Sequence, residues 1–236
     1  MDETSTTDTA SVVSDNGRRY HAYQAGKPND EEEQNRLDLF HYINLLVLDG
    51  ALYLAPIESE PRHVLDVGTG TGINVAPQAL VSNCNFIVDD KFDFIHVRGI
   101  VGCIADYGRF CSQAFDHLTP GGWVEVQEYE ALVRSNEPCD ESKMKHTNEW
   151  ARLIHQATAS IDKPILVDAG FEGVTEMVYR LPFGTWPKGP KLKEIGRYQL
   201  AQMLQAVDAA SPAELMDRSL HLYCNLHFVY GRKPTA

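Results

Sequence analysis

Hydrophobic and polar positions along this chain follow two rhythms, and the switches between them mark its elements. From His63 onward, short apolar runs of strand type are separated by stretches of helical spacing, which predicts a largely parallel sheet covered by helices. HVLDV (63–67) is the first strand and runs into the glycine-rich turn GTGTG (68–72); FDFIHVRG (92–99) is the second. A helix is expected from about Ala105 to Leu118, then the turn TPGG and a third strand, WVEVQEYE (123–130), with alternating apolar and polar residues. Next come a helix over Ser142–Ile161, a strand near Val174–Leu181, an exposed loop PFGTWPKGPK and a helix at about Leu192–Val207. The last strand, HLYCNLHFVYG (221–231), places Leu222, Cys224, Leu226 and Phe228 on one side, as a half-buried strand requires. Upstream, Leu37–Ile57 reads as a buried helix leading into the domain. Asn29 or Asp30 marks its start, with Glu32 or Glu33 at the capping-box position and acids suited to the positive end of the helix dipole.

Composition adds exclusions. With 21 Lys+Arg against 33 Asp+Glu the formal charge is −12, which argues against a surface built to neutralise phosphates, so no nucleic-acid partner is expected. Asp38, His41, Asn44 and Asp49 interrupt the apolar stretch, so it does not read as a membrane span. The N-terminus, MDETSTTDTASVVSDNG, is acidic and Ser/Thr-rich, without the basic and apolar regions of an export signal. The expected organisation is a disordered tail over 1–16, a strap and helix over 17–62, and an α/β domain over 63–236. Cys84, Cys103, Cys111, Cys139 and Cys224 form no C-x-x-C pair, which points to a reducing interior without structural zinc. An intracellular location is expected, with cytoplasm and nucleus both open.

The chemistry concentrates at VLDVGTGTGI (64–73). Gly68, Gly70 and Gly72 remove side chains where a ligand approaches the backbone, and Asp66 stands at the strand's carboxyl end. A dinucleotide turn would place a glycine at Ile73. An acid two residues before the first glycine instead suits a ligand bearing an amino group, the arrangement of turns that bind S-adenosylmethionine.

The order of motifs extends this. The glycine turn, FDFIHVRG and LTPGGWVEVQE (118–128) together resemble class I S-adenosylmethionine-dependent methyltransferases. GRRYHAYQAGKPNDEEEQNRLDL (17–39), LYLAPI (52–57), LPFGTWPKGPKLKEIGRY (181–198) and VYGRKP (229–234) are similar to the fungal LaeA-like methyltransferases of secondary metabolism. The resemblance implies a Rossmann-like α/β sheet with helices on both faces, S-adenosylmethionine as cofactor, and work in making or regulating secondary metabolites. The implied cofactor residues are Asp66, Gly68, Thr69, Gly70 and Gly72, with Asp89 and Asp90 beyond them. Two roles stay open: a methyltransferase whose acceptor is a small molecule or a protein, or an accessory protein with impaired turnover.

The chain departs from the family after Gly72, where a helix, a strand and a further helix are missing. NFIVDD (85–90) matches the family's third strand by alignment, whereas by spacing Asp89 or Asp90 falls near the position of a ribose-binding acid. Only Lys91 separates it from FDFIHVRG, yet a crossover between parallel strands takes about a dozen residues. A sheet reduced on its second- and third-strand side is therefore expected, with Asp89 and Asp90 on a loop or strand end near the pocket.

Methyl transfer needs positioning first and a base only for some acceptors. His96 is the candidate base, or a histidine satisfied within the core. Arg98 reads as a carboxylate binder or a structural ion pair, and Glu125, Gln127 and Glu128 as acceptor lining or a solvated sheet edge. Arg18, Arg19, Tyr20, His21 and Tyr23 read as a lid or a surface strap, and Trp186 as cleft lining or a loop anchor. The cysteines are expected in the core.

Overall fold

The computed structural model describes residues 12–15, 18–21, 30–68, 91–100, 103–104, 106–136, 141–157, 163–206 and 212–235. Val12–Asp15 (β1), within the stretch read as a tail, pairs antiparallel with Arg18–His21 (β2). The first helix, α1, runs Glu31–Val47, and the Asp30 side chain accepts from the Glu33 amide at 3.0 Å, as the capping pattern predicts.

The expected helix over Leu37–Ile57 stops short. Leu48 and Gly50 donate to the Asn44 and Leu45 carbonyls, and the chain turns through Asp49 (φ 53°) and Gly50 (φ 91°). Left-handed backbone ends a helix here despite continuing apolar sequence, because Gly50 carries no side chain to oppose it. Residues 51–57 then cross the sheet as an irregular strap.

The central sheet contains β3 (Val64–Val67), β4 (Phe92–Arg98), β5 (Leu118–Tyr129), β6 (Arg134–Ser135), β7 (Glu172–Pro182) and β8 (Leu222–Arg232). Its order among the described residues is β3-β4-β5-β8-β6, with β7 paired to β8. The β3–β4 and β4–β5 pairs are parallel; β8 runs antiparallel to β5, β6 and β7. The third strand begins at Leu118 rather than Trp123, and a register shift opposite Phe92–Phe94 absorbs the TPGG turn. β3 is an edge among the described residues. The expected loss of second and third strands falls on residues 69–90, outside them.

Helices cover both faces. Tyr107–His117 (α2) and the short Lys163–Asp168 (α4) pack on one side, over Leu65, Val67, Ile95, Val97, Val124, Val126 and Val229. On the other, α1 and Pro190–Ala206 (α5) cover Leu181 and the predicted stripe of Leu222, Cys224, Leu226 and Phe228. The single helix expected over Ser142–Ile161 is a 3-10 turn, Glu141–Met144, followed by α3 (Lys145–Ala157); α6 spans Pro212–Met216. Glu214 of α6 receives the amides of His146 and Thr147 at 3.2 and 2.9 Å and so caps α3 from a distant part of the chain. No helix among the described residues is long and apolar enough to cross a membrane.

Candidate active site

Strand alternation splits β3, β4 and β5 into two faces. Leu65, Val67, Ile95, Val97, Val124 and Val126 join the apolar core under α2. The opposite positions are Asp66, His96, Arg98, Glu125 and Gln127, and all five are buried. This corrects the expectation of a solvated sheet edge at Glu125, Gln127 and Glu128. α1 and the strap at 51–57 lie over the polar face, so alternation in these strands divides two covered faces, one apolar and one polar, rather than a covered face from a solvated one.

The strap is held by charge. Glu125, 0% exposed, accepts the Leu54 amide at 3.0 and 2.8 Å through its two oxygens, the Ala55 amide at 2.6 Å, and Gln127 Nε2 at 2.7 Å. The Leu52 carbonyl accepts from Arg98 and from Gln127, both at 2.9 Å. Arg98 also donates to Gln127 Oε1 at 2.7 Å and lies 3.1 Å from His41 Nδ1. Arg98 was read as a carboxylate binder or an ion pair; its hydrogen bonds here go instead to an amide side chain, an imidazole and a backbone carbonyl. Burial pulls its guanidinium down to about 10, opposed by the Asp66 and Glu125 carboxylates, so it stays charged at neutral pH. Tyr53 packs its ring 5.1 Å from that of Phe94, completing the strap's contact.

At the carboxyl ends of the parallel strands the chain closes tightly. Gly68 has φ 85°, and a Cβ there would stand 2.5 Å from Ile100 Cγ2 and 2.8 Å from the Arg98 carbonyl oxygen. Glycine is therefore required at this point by packing of the turn against the end of β4. Glu128, 4% exposed, accepts the Ile100 amide at 2.8 Å and ties β5 to that same corner. Ligands of open α/β sheets bind outside the carboxyl ends of parallel strands, which is the corner Gly68 and Ile100 form.

Asp66 and His96 are register partners across β3 and β4, with Asp66 Oδ1 2.7 Å from His96 Nδ1. Sequence reading named both residues but not their pairing. The available signal was an acid and a histidine near the carboxyl ends of successive strands. Of the other implied cofactor residues, Thr69, Gly70, Gly72, Asp89 and Asp90 lie outside the described residues, as does Tyr23; Arg18, Arg19, Tyr20 and His21 form β2. Trp186 acts as a loop anchor, donating to the Leu222 carbonyl at 3.0 Å and stacking on His221. Cys111 and Cys224 are core residues whose thiols burial pushes up to about 12, whereas Cys103, also expected in the core, is exposed.

Several known proteins are similar to this chain. The chain is 32% identical to methyltransferase pytC of Aspergillus terreus, covering 82% of this chain and 72% of that protein. It is 28% identical to the secondary metabolism regulator LAE1 of Cochliobolus heterostrophus, covering 93% and 94%. Among solved structures it is similar to phosphoethanolamine N-methyltransferase 2 of Haemonchus contortus, at 15% identity and TM-score 0.49, over 85% of this chain and 57% of that one. The methyltransferase domain family is matched over residues 39–176, more than half of the chain, from α1 through the sheet into β7, and the chain belongs to that family.

Proposed function

We propose that this chain is an S-adenosylmethionine-dependent methyltransferase of fungal secondary-metabolite biosynthesis, with a small molecule as the favoured acceptor. The observation that carries the reading is the corner where the Gly68 turn leaves β3 beside Ile100 at the end of parallel β4. The names of the relatives, a methyltransferase and a secondary metabolism regulator, support the pathway.

S-adenosylmethionine would supply a methyl group already activated on a sulfonium, so the protein's task is to position the acceptor, an effect worth about 7–11 kcal/mol. Asp66 and backbone groups of Gly68, Thr69, Gly70 and Gly72 would hold its amino-acid end, and Asp89 and Asp90 would face its adenosine. A hydrogen bond to a charged group contributes about 1.5–3 kcal/mol, so a missing ribose acid would weaken the cofactor about ten- to a hundredfold without abolishing it. The buried residues Arg98, Glu125 and Gln127 fix the strap over the sheet and keep water from that face.

Calorimetric titration of the purified protein with S-adenosylmethionine tests the reading. Wild type is expected to bind, and Gly70→Val to lose at least about tenfold in affinity. Absence of binding heat with the wild type at roughly millimolar cofactor rejects the enzyme and leaves an accessory role.

A further inference from the structure

β7 lies at an edge of the sheet: its eleven residues pair with β8 on one side and with no described strand on the other. Its ends are packed, Val174 in the core with Leu166 of α4 and Leu181 with Ile195 of α5. Between them the strand is open. Met177 and Val178 are 43% and 49% exposed, and as neighbours on a strand they point to opposite faces, so this edge presents apolar surface on both. The outer side of an unpaired strand also carries a row of amide and carbonyl groups that a further strand can take up. Charge decides which strand fits. Glu176, Val178 and Arg180 share one face, opposite Val229, His227 and Asn225 of β8. His227 engages Oε1 of Glu176 at 2.7 Å, on a side chain that is still 28% exposed. Arg180 is exposed, with its guanidinium 4.9 Å from the centre of the Tyr223 ring and one nitrogen 3.4 Å from Asn136 Oδ1. An acid and a base therefore flank Val178 symmetrically, each two residues away on the same face.

We propose that β7 is a homodimer interface, in which two copies of this chain pair antiparallel through their β7 edges about a two-fold axis at Val178. A two-fold perpendicular to a sheet passes through one residue, which faces its own copy, and keeps every side chain on its face. With Val178 on the axis, Glu176 of each copy faces Arg180 of the other, and Met177 faces Tyr179 on the opposite face. An axis at Met177 sets Glu176 against Val178, and an axis at Tyr179 sets Glu176 against Pro182; neither pairs the charges. Opposite charges facing each other across a ladder favour a register and like charges oppose it. One register thus forms two Glu–Arg contacts and covers the exposed apolar pair, and this self-complementarity makes a second copy the occupant. The glycine turn after β3 stands at the opposite edge of the sheet, so the contact leaves that corner open and the inference stands apart from the methyltransferase reading.

Analytical ultracentrifugation of the purified full chain tests this, with wild type expected to sediment as a dimer at about 100 μM. Glu176→Arg gives a strand with arginine at both positions, and Arg180→Glu one with glutamate at both. Each variant alone sets like charge against like and is expected to dimerise at least about tenfold more weakly than wild type. Mixed in equal amounts, the two variants face arginine with glutamate at both contacts and are expected to recover the dimer as a heterodimer. A monomeric wild type overturns the proposal; so do single variants that dimerise like wild type, which would place the contact elsewhere, and a mixture that stays monomeric. Should the variants not fold, amide exchange of wild type at about 1 and about 100 μM decides. Amides between Thr175 and Leu181 are expected to exchange more slowly at the higher concentration. Protection in β7 that ignores concentration, or a concentration effect confined to another element, overturns the interface.

Discussion

Glu125 shows how one residue changes meaning between sequence and structure. In WVEVQEYE it occupies the polar phase of an alternating strand, which is also where a solvent-facing glutamate would stand. In the fold its carboxylate meets the Leu54 and Ala55 amides and the Gln127 side chain, and nothing in the strand itself announces those partners. Burial of an ionised group is tolerated only when hydrogen bonds replace its water. Glu125→Gln puts an amide NH2 where an acceptor is needed, and should lower stability by about 2–3 kcal/mol in urea unfolding. A variant as stable as wild type would show that the strap is held without the carboxylate. Asp66 and His96 were similarly visible as residues but not as a pair, because parallel register is set by the sheet and not by local spacing.

At the scale of elements, starts were more legible than ends. Asp30 announced the beginning of α1 through its own chemistry, whereas the end at Val47 depends on left-handed backbone at Asp49 and Gly50 within an apolar run. α5 has a similar hidden constraint. A Cβ at Gly196 would lie 2.0 Å from the Gly184 carbonyl oxygen, where the Gly184 amide already donates to the Gly196 carbonyl at 2.8 Å. Alanine favours helices in isolation, yet Gly196→Ala should destabilise by about 1–3 kcal/mol because backbone must move; thermal unfolding tests this, and an unchanged midpoint would refute it. The α3 cap has a pH signature. Burial raises the Glu214 pKa, but the bonds from Thr147 and His146 outweigh it and bring the carboxyl down to about 2 from its ordinary 4.5. A depressed carboxylate stabilises the fold fully above its unfolded pKa, and the gain is lost as pH falls from 4.5 toward 2. Urea midpoints measured across that interval should fall more steeply in wild type than in Glu214→Gln.

For the molecule as a whole, periodicity indicated the strands, the helices on both faces and the glycine turn that follows β3. It could not separate the two sides of the sheet, because Asp66, His96, Arg98 and Gln127 look like surface residues until α1 and the strap are laid over them. The division at residue 63 drawn from sequence therefore cuts through shared structure. Phe40, Ile43 and Val47 of α1 belong to the same apolar core as Leu222, Leu226 and Phe228 of β8. Residues 63–236 expressed alone would uncover that core and strip Arg98 and Glu125 of their backbone partners. That fragment should show no cooperative unfolding transition by circular dichroism, and a sharp transition would make the N-terminal segment dispensable.

Ile100 makes the glycine turn and the end of β5 one mechanical unit. Its amide is gripped by Glu128 and its side chain lies against Gly68, with no room for even a methyl group between them. Close-packed interiors transmit displacement rather than absorb it. Movement at the end of β5 therefore reaches Gly68 at the end of β3 through one residue, so the carboxyl ends of the two strands shift together or not at all.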